Sequence, residues 1–254
     1  MTNVSQNAPL QRQNYASSVS TSDQLDMMLG TRGIVVIAPH PDDEILGCGA
    51  LICATAAQGR PVWVIYLTDG GASQPDLSPQ ARKDLVLQRQ SEAFAGLEEL
   101  GVPSSSALFV GAPDGHLHNT KAHTKLAIFK LHELIQQGSV SAVFVTSPHD
   151  AHTDHQAAYK LAVTALRTYP GIQLYTYPIS SRIDHNAAPL ERSIHGISFN
   201  TDRFAKQKRA ALACHASQLV TDIPRRGFTL ASATFEFMCA EPEYFEPMDL
   251  IYDN

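Results

Sequence analysis

The stretch "IVVIAPHPDDEILGCGALICATAAQG", residues 34–59, decides the fold of this chain. It begins with a run of β-branched and apolar residues and continues, after a short polar segment, with apolar residues at helical spacing up to Gly59. The pattern predicts a buried strand over 34–39 and a helix over 43–59. The turn between them holds one histidine and three carboxylates within residues 40–44. So dense a cluster is unstable at a strand end unless something compensates it, and a cation is the obvious candidate.

The same alternation of strand-like and helix-like segments continues along the chain. It predicts an α/β fold with three layers, a Rossmann-like, doubly wound and mainly parallel sheet in the order 3-2-1-4-5, and a C-terminal extension. We expect one or two antiparallel edge strands between Pro178 and Phe199, and extended surface chain over "EPEYFEPMD", residues 241–249. The further predicted strands are 61–68, 107–111, 140–147 and 172–178, and the further predicted helices are 78–101, 120–138, 153–171 and 201–218.

Length and composition indicate an ordinary soluble globular protein of one large domain or two small ones. Hydrophobic residues make up 44% of the chain and charged residues 17%, as in ordinary globular proteins. A formal net charge of −6, with no block of basic residues, argues against nucleic acid as a partner. No apolar run approaches the roughly 18 residues of a membrane span, and no signal peptide is evident, so we expect no membrane association and a cytoplasmic location.

The domain prediction follows from the same patterns. Residues 1–29 are expected to be a flexible polar tail, because their first two dozen positions are rich in Ser, Asn and Gln. Residues 30–254 are expected to form a single domain, since no linker or internal repeat interrupts the alternation. Nothing in the sequence indicates an oligomeric state.

A second polar cluster follows the fourth predicted strand. The stretch "SPHDAHTDHQAA", residues 147–158, contains His152, Asp154 and His155 and leads into a helix. In the order 3-2-1-4-5 the first and fourth strands meet where the order reverses, which is where such sheets bind ligands. The two clusters are therefore expected to meet and to hold a metal ion. The alternative is that Asp43 and Thr153 are only helix N-caps.

A dinucleotide-binding loop is disfavoured for the first cluster. Gly47 and Gly49 fall inside the predicted helix rather than in the turn before it, and Ile52 stands where a third glycine is needed. Acidic residues occupy the turn itself, where they would repel a pyrophosphate group.

The paired motifs resemble those of a known family. "PHPDDE" (39–44) and "HTDH" (152–155) are similar to the motifs of the LmbE-like, or PIG-L, zinc-dependent de-N-acetylases, which remove an acetyl group from an N-acetylglucosamine unit. Weaker similarities are found in "LTDGG" (67–71), "PDGHL" (113–117) and "HASQ" (215–218). The resemblance spans about residues 33–218 and implies a Rossmann-like sheet.

The resemblance implies one zinc ion per subunit, although another divalent metal would also suit. Its ligands would be His40, Asp43 and His155. Two imidazole nitrogens and one carboxylate leave a fourth position for water, as a catalytic zinc site needs. Asp42 would be the general base, and His152 would stabilise the oxyanion and protonate the departing amine.

The supporting residues are assigned less directly. Asp154 is expected to hold His152 in its tautomer, and Glu44 to support a ligand from outside the metal's own contacts. Asp114 and Arg89 are expected to contact substrate, by resemblance only. For Arg89 an equally good alternative is a surface ion pair with Glu92.

These residues predict a hydrolase that deacetylates an N-acetylated amino sugar, with a small acetamido-sugar as its partner. The alternatives are a non-catalytic, metal-dependent sugar-binding module and a hydrolase of a different amide or of an ester. Intact Asp42 and His152 favour catalysis, since a binding module needs neither an acid nor a base. The loop histidines His116, His118 and His123 are expected to lie outside the metal site.

Overall fold

A mixed sheet of seven strands forms the centre of the described part of the chain, which comprises residues 21–183, 196–219 and 228–250 of a computed structural model. The strand order is β3-β2-β1-β4-β5-β7-β6, in which β1 to β5 are parallel and β7 and β6 are antiparallel additions. The predicted parallel order is confirmed. The strands are β1 (Gly33–Ala38), β2 (Val62–Thr68), β3 (Ala107–Ala112), β4 (Val140–Thr146), β5 (Gln173–Tyr177), β6 (Ile197–Phe199) and β7 (Glu243–Met248).

Helices cover both faces of this sheet, which confirms the three-layer architecture. The helices are α1 (Thr21–Leu29), α2 (Asp43–Ala57), α3 (Pro79–Glu99), α4 (Lys121–Gln136), α5 (Thr153–Leu166), α6 (Ser180–Ile183), α7 (Ala205–Ala213) and α8 (Ser232–Ala240). One apolar core lies beneath α2, α3 and α7, and a second lies beneath α4 and α5. Strand β1 supplies both cores alternately, with Ile34 and Val36 on one side and Val35 and Ile37 on the other. This is why its sequence is apolar without interruption.

Two terminal segments differ from the sequence prediction. The predicted polar tail was wrong for residues 21–29, which form α1 and bury Leu25 and Leu29 in the first core. The rest of that tail lies outside the described residues. None of the described helices has the length and apolar character needed to cross a membrane.

The predicted surface chain over residues 241–249 was also wrong, because most of it is a strand of the sheet with buried side chains. Residues 232–240 form α8, and "EYFEPM" forms β7, which pairs with both β5 and β6. The side chains of Glu243 and Phe245 are buried there. A sequence with two acids and a proline among six residues does not resemble a buried strand. For this segment to pair within the sheet, the buried Glu243 carboxylate needs a partner.

That partner is Lys208 of α7, and the resulting ion pair is fully buried against α2. The Nζ atom of Lys208 lies 2.7 Å from the Oε1 atom of Glu243 and donates to the carbonyl of Leu46 at 3.1 Å. The Glu243 carboxylate accepts from the backbone N–H groups of Ala50 and Leu51 at 2.7 and 3.0 Å. In a regular helix the Ala50 amide and the Leu46 carbonyl bond to each other. Here each has a partner in the ion pair.

The glycines of α2 are explained by close approach rather than by ligand binding. A Cβ atom on Gly47 would lie 2.2 Å from the ring of Tyr177, and one on Gly49 would lie 3.0 Å from the stem of Lys208. The helix therefore carries glycines where β5 and α7 press against its backbone.

We predict that Lys208→Met destabilises the fold by about 3–5 kcal/mol, because it leaves the Glu243 carboxylate buried without a cation. Urea unfolding followed by circular dichroism measures the change. Arg209→Met is the matched control on the same helix, since Arg209 pairs with Glu236 on the surface, and it should change the unfolding midpoint little. Equal midpoints for the two variants would contradict the importance of the buried pair.

Candidate metal and catalytic site

The two polar clusters of the sequence lie together at the carboxyl edge of the sheet. Strands β1 and β4 are neighbours at the point where the strand order reverses, and each leads through a short loop into a helix. The ring centroid of His40 is 4.6 Å from that of His152 and 5.3 Å from that of His155. The meeting of the clusters follows from the parallel topology, in which these loops leave the same edge.

The three predicted metal ligands are brought into contact around one carboxylate oxygen. The Oδ2 atom of Asp43 is 3.1 Å from Nδ1 of His40 and 3.3 Å from Nε2 of His155, and all three side chains are buried. Ligand atoms on a tetrahedral zinc ion with bonds near 2.0 Å are separated by about 3.3 Å. One donor atom from each of His40, His152 and His155 also lies within 4.8 Å of the others. The donor set and its spacing therefore fit a divalent metal.

Both of these buried histidines have a carboxylate at the ring nitrogen that faces away from Asp43. The Nδ1 atom of His155 is hydrogen-bonded to Oδ2 of Asp150 at 2.8 Å, and Nε2 of His40 lies 3.1 Å from Oδ1 of Asp114. Such partners fix the orientation and tautomer of a ligand imidazole. The sequence reasoning missed Asp150, although its position in the same loop as His155 was an available signal.

Asp150 is itself held firmly by the backbone of a neighbouring loop. Its carboxylate is buried and accepts hydrogen bonds from the backbone N–H groups of Ile179 and Ser180 at 3.1–3.2 Å. It therefore joins the loop after β5 to the imidazole of His155.

Asp154 does not occupy the position that the sequence predicted. Its carboxylate accepts from the backbone N–H groups of Gly115 and Leu117 and lies 3.4 Å from Nε2 of His40. The residue contacts His152 through its backbone, whose N–H donates to Nδ1 of the His152 ring.

The helix N-caps are His152 for α5 and Asp42 for α2. The capping alternative considered from the sequence named Thr153 and Asp43, which each lie one residue later.

Asp42 has an unusual backbone conformation. Its φ angle is 142° with ψ −28°, a region that residues with a side chain seldom adopt, and it is the non-glycine residue with positive φ among those described. Its N–H donates to Glu44, which also accepts from the hydroxyl of Tyr66 at 2.8 Å. Glu44 therefore supports Asp42, rather than a predicted metal ligand, by this hydrogen bond.

Arg89 supports the same turn from beneath. It is only 2% exposed, and it donates to the carbonyls of Gly70 and Pro41 at 2.9 and 2.7 Å and to Oδ2 of Asp42 at 3.2 Å. The predicted surface ion pair with Glu92 was wrong, because Glu92 accepts from Ser217 instead. Arg89 borders the pocket in front of the cluster, and its role as a substrate contact stays a prediction.

The surrounding charges give the two adjacent aspartates, Asp42 and Asp43, different pKa values. Burial raises the pKa of Asp42 to about 7, although the Arg89 guanidinium opposes this change. Burial also acts to raise the pKa of Asp43, but His155 and His40 lie beside it and hold that pKa well below its usual range. Burial together with the nearby Asp42 raises the pKa of Glu44 to about 8. Asp43 is therefore the carboxylate suited to a cation, and Asp42 is the one suited to exchange a proton near neutral pH.

The remaining histidines of the predicted loops stay away from the cluster. His116 and His118 are exposed and His123 is half-buried, and none of them belongs to the groups of possible metal ligands within the described residues. A pocket of about 620 Å³ opens in front of the cluster and is bordered by His40, Asp42, Asp43, Asp114, His152 and His155 among others.

The fold and the site together indicate a class of protein: an α/β protein with its His/Asp cluster at the carboxyl ends of the strands, where the strand order reverses. The PIG-L family, described as GlcNAc-PI de-N-acetylase, matches residues 35–166 of the sequence. The chain belongs to this PIG-L/LmbE-like family of de-N-acetylases. It is therefore a deacetylase, an amidase acting on a linear amide bond, which confirms the prediction of an enzyme over a non-catalytic module.

Individual relatives agree with this assignment. An uncharacterised deacetylase, YaiS, of Escherichia coli (strain K12) is 30% identical over 154 residues, 58% of this chain and 75% of that protein. A probable N-acetyl-α-D-glucosaminyl L-malate deacetylase 2 of Bacillus anthracis is 25% identical over 227 residues, 87% of this chain and 97% of that protein. The fold is shared with the N,N′-diacetylchitobiose deacetylase of Pyrococcus horikoshii, with a TM-score of 0.65, 18% identity, and coverage of 88% of this chain and 85% of that one.

The backbone of Asp42 generates a stability prediction. Since glycine adopts positive φ without strain, Asp42→Gly should unfold with a free energy about 1–2 kcal/mol greater than that of Asp42→Ala. Asp43, the first residue of α2, is the matched control, and Asp43→Gly should there be less stable than Asp43→Ala. Denaturant unfolding of the four metal-free variants measures the difference in unfolding free energy between glycine and alanine at each position. If alanine were the more stable residue at both positions, backbone strain at Asp42 would be refuted.

Proposed function

We propose that this deacetylase is a zinc-dependent hydrolase that removes the acetyl group from an N-acetylated amino sugar of the N-acetylglucosamine type. The observation that carries the proposal is the Asp43 carboxylate oxygen lying within 3.3 Å of both His40 and His155, with Asp42 as the preceding residue. In this proposal His40, Asp43 and His155 hold the metal, one ion per subunit. When bound, zinc supplies a Lewis acid and makes water a better nucleophile near neutral pH.

Asp42 acts as the general base in this proposal. Its carboxyl group borders the pocket, and a pKa of about 7 allows it to accept a proton from water and to release it again at neutral pH. Arg89 and Glu44 hold the turn that carries it, so the carboxylate needs little reorganisation during the reaction. Its strained backbone is consistent with a functional position.

His152 acts as the acid and as a partner for the negative charge that develops on the amide oxygen. Its ring is the exposed member of the histidine group and lies next to His40 at the pocket. Burial, together with the nearby His40 and His155, lowers the pKa of His152. A lowered pKa makes the protonated ring a stronger acid, which favours donation to the departing amine.

The names of similar proteins support an amino-sugar substrate. The Bacillus anthracis relative is named for an N-acetylglucosaminyl malate and the Pyrococcus horikoshii protein for diacetylchitobiose. These substrates share an acetamido group on a sugar and differ in what the sugar is joined to. We therefore propose the acetamido sugar as the common element of the substrate. Hydrolysis of a different amide, or of an ester, is the alternative that a substrate panel distinguishes.

The metal assignment predicts the result of elemental analysis. After dialysis, His155→Ala should lose the zinc that the unaltered protein retains, because it lacks one of three ligands. Asp150→Asn should keep the ligands and bind zinc about 10–100-fold more weakly in competition with a chelator, since the partner of the His155 ring is altered. His149→Ala, an exposed histidine in the same loop, is the control and should retain full occupancy. Full occupancy in His155→Ala would overturn the ligand assignment.

The catalytic assignment predicts a separation of binding from turnover. Asp42→Asn and His152→Ala should both retain zinc, while kcat on an acetamido-sugar substrate should fall by at least about 100-fold in each. Stopped-time assays of released acetate, at equal zinc occupancy, measure this effect, with His149→Ala again as the control. Near-normal turnover in His152→Ala would remove this residue from the mechanism and leave Asp42 to carry the proton in both directions.

A further inference from the structure

Two kinds of side chain border the pocket in front of the cluster. Some are the His and Asp side chains already described. Others are apolar and are called here the apolar wall, namely Leu46 at the start of α2, Pro75, Ile179, Ile183 and Phe228. These residues come from four separate segments of the chain, so the apolar wall is a product of the fold rather than of one hydrophobic run.

The size of the pocket exceeds what an acetyl group needs. A volume of about 620 Å³ falls within the range of sites that enclose a whole small molecule, which is about 300–1,000 Å³. The acetamido group at the cluster fills only a small part of that space. The remainder is available to the rest of the substrate, and the apolar wall borders this space.

Phe228 is the clearest sign that this wall faces a ligand. It is 41% exposed, one of the few large apolar side chains in the described residues that are not covered by the protein. Its backbone is nonetheless fixed, because its N–H donates to the carbonyl of Ser73 at 2.9 Å. An aromatic ring held in place at a pocket, with Ile183 and Ile179 also on that wall, offers a preformed apolar contact.

The polar groups near this wall are largely committed to the protein. The terminal nitrogens of Arg89 are bonded to Gly70, Pro41 and Asp42. Asp114 accepts from the backbone of Ala72 and lies against His40. Among the described residues that border the pocket, Ser73 and Ser180 are the remaining uncharged side chains with a hydroxyl. Beyond the sugar itself, an apolar group joined to the substrate therefore matches these side chains better than a further polar group.

We propose that the substrate carries an apolar group, alkyl or aryl, close to the scissile amide, and that this group packs on Leu46, Ile179, Ile183 and Phe228. The inference rests on the proposed function and adds to it the chemical class of the substrate beyond the acetamido sugar. The apolar group can be attached on the amine side, as an aglycone of the sugar, or on the acyl side, as a longer chain in place of the acetyl methyl. In either position the apolar group would contact the same apolar wall.

Three substrates distinguish these possibilities in the zinc-loaded enzyme. They are N-acetylglucosamine, phenyl N-acetyl-β-glucosaminide and N-hexanoylglucosamine. Each methylene buried on the apolar wall contributes about a fourfold gain in affinity or specificity. The kcat/KM of at least one of the two apolar compounds should therefore exceed that of N-acetylglucosamine by tenfold or more. A faster phenyl compound assigns the group to the amine side, and a faster hexanoyl compound assigns it to the acyl side.

Variants test whether the wall causes the preference. Phe228→Ala should lower the ratio of kcat/KM between the preferred apolar compound and N-acetylglucosamine at least fivefold. Phe129→Ala removes a similarly exposed ring from α4, away from the pocket, and should leave the ratio unchanged. Equal kcat/KM for the three compounds in the unaltered enzyme, or an equal ratio in Phe228→Ala, would overturn the inference and leave the proposed function standing.

A binding measurement separates failure of the inference from failure of the proposed function. Titration calorimetry of zinc-loaded Asp42→Asn protein with the same three compounds reports the apolar preference without requiring hydrolysis. Tenfold tighter binding of an apolar compound supports the inference even if none of the three is hydrolysed, a result that would count against the proposed reaction. Equal binding of all three overturns the inference.

Discussion

The burial of a histidine and three consecutive carboxylates at the end of β1 is the constraint on which the rest of the structure depends. Each of these groups loses the solvation that stabilises its charge, and each must recover that free energy from neighbours. The neighbours come from distant parts of the chain: Arg89 and Tyr66 beneath the turn, and the loops after β3 and β4 beside it. The sheet topology matters because it brings the loops after β1, β3 and β4 to one edge.

The same surroundings give two identical side chains different chemistry. Asp42 and Asp43 are adjacent and both buried, yet the pKa of one is raised and that of the other is lowered. The difference arises from direction: Asp43 points between two imidazoles, whereas Asp42 faces a single guanidinium and the charge of Asp43. The two residues also differ in backbone conformation, since Asp42 has a positive φ angle and Asp43 begins α2. When the pKa values of two neighbouring carboxyl groups differ in this way, one group is suited to bind a cation and the other to accept and release a proton.

Much of the fold could be predicted from the sequence, because β1 to β5 and their connecting helices carry strong periodic patterns. The meeting of "PHPDDE" and "HTDH" also followed from strand order. What the sequence did not reveal were partnerships between remote residues. Strand β7 looks like surface chain until Lys208 is placed beside Glu243, and Arg89 looks like a surface residue until Asp42 is placed above it. Asp154 was expected to hold His152, but its carboxylate lies beside His40 and accepts from the backbone of the loop after β3.

The ion pair between Lys208 and Glu243 has a consequence for the order of events during synthesis. In the helix that begins at Asp43, the backbone N–H groups of Ala50 and Leu51 both donate to Glu243, an acid 193 positions after Ala50. Until that part of the chain has left the ribosome, the first turns of α2 lack partners that the finished protein provides. The motif at the start of α2 thus leads into a helix whose packing is completed by residues near the other end of the chain.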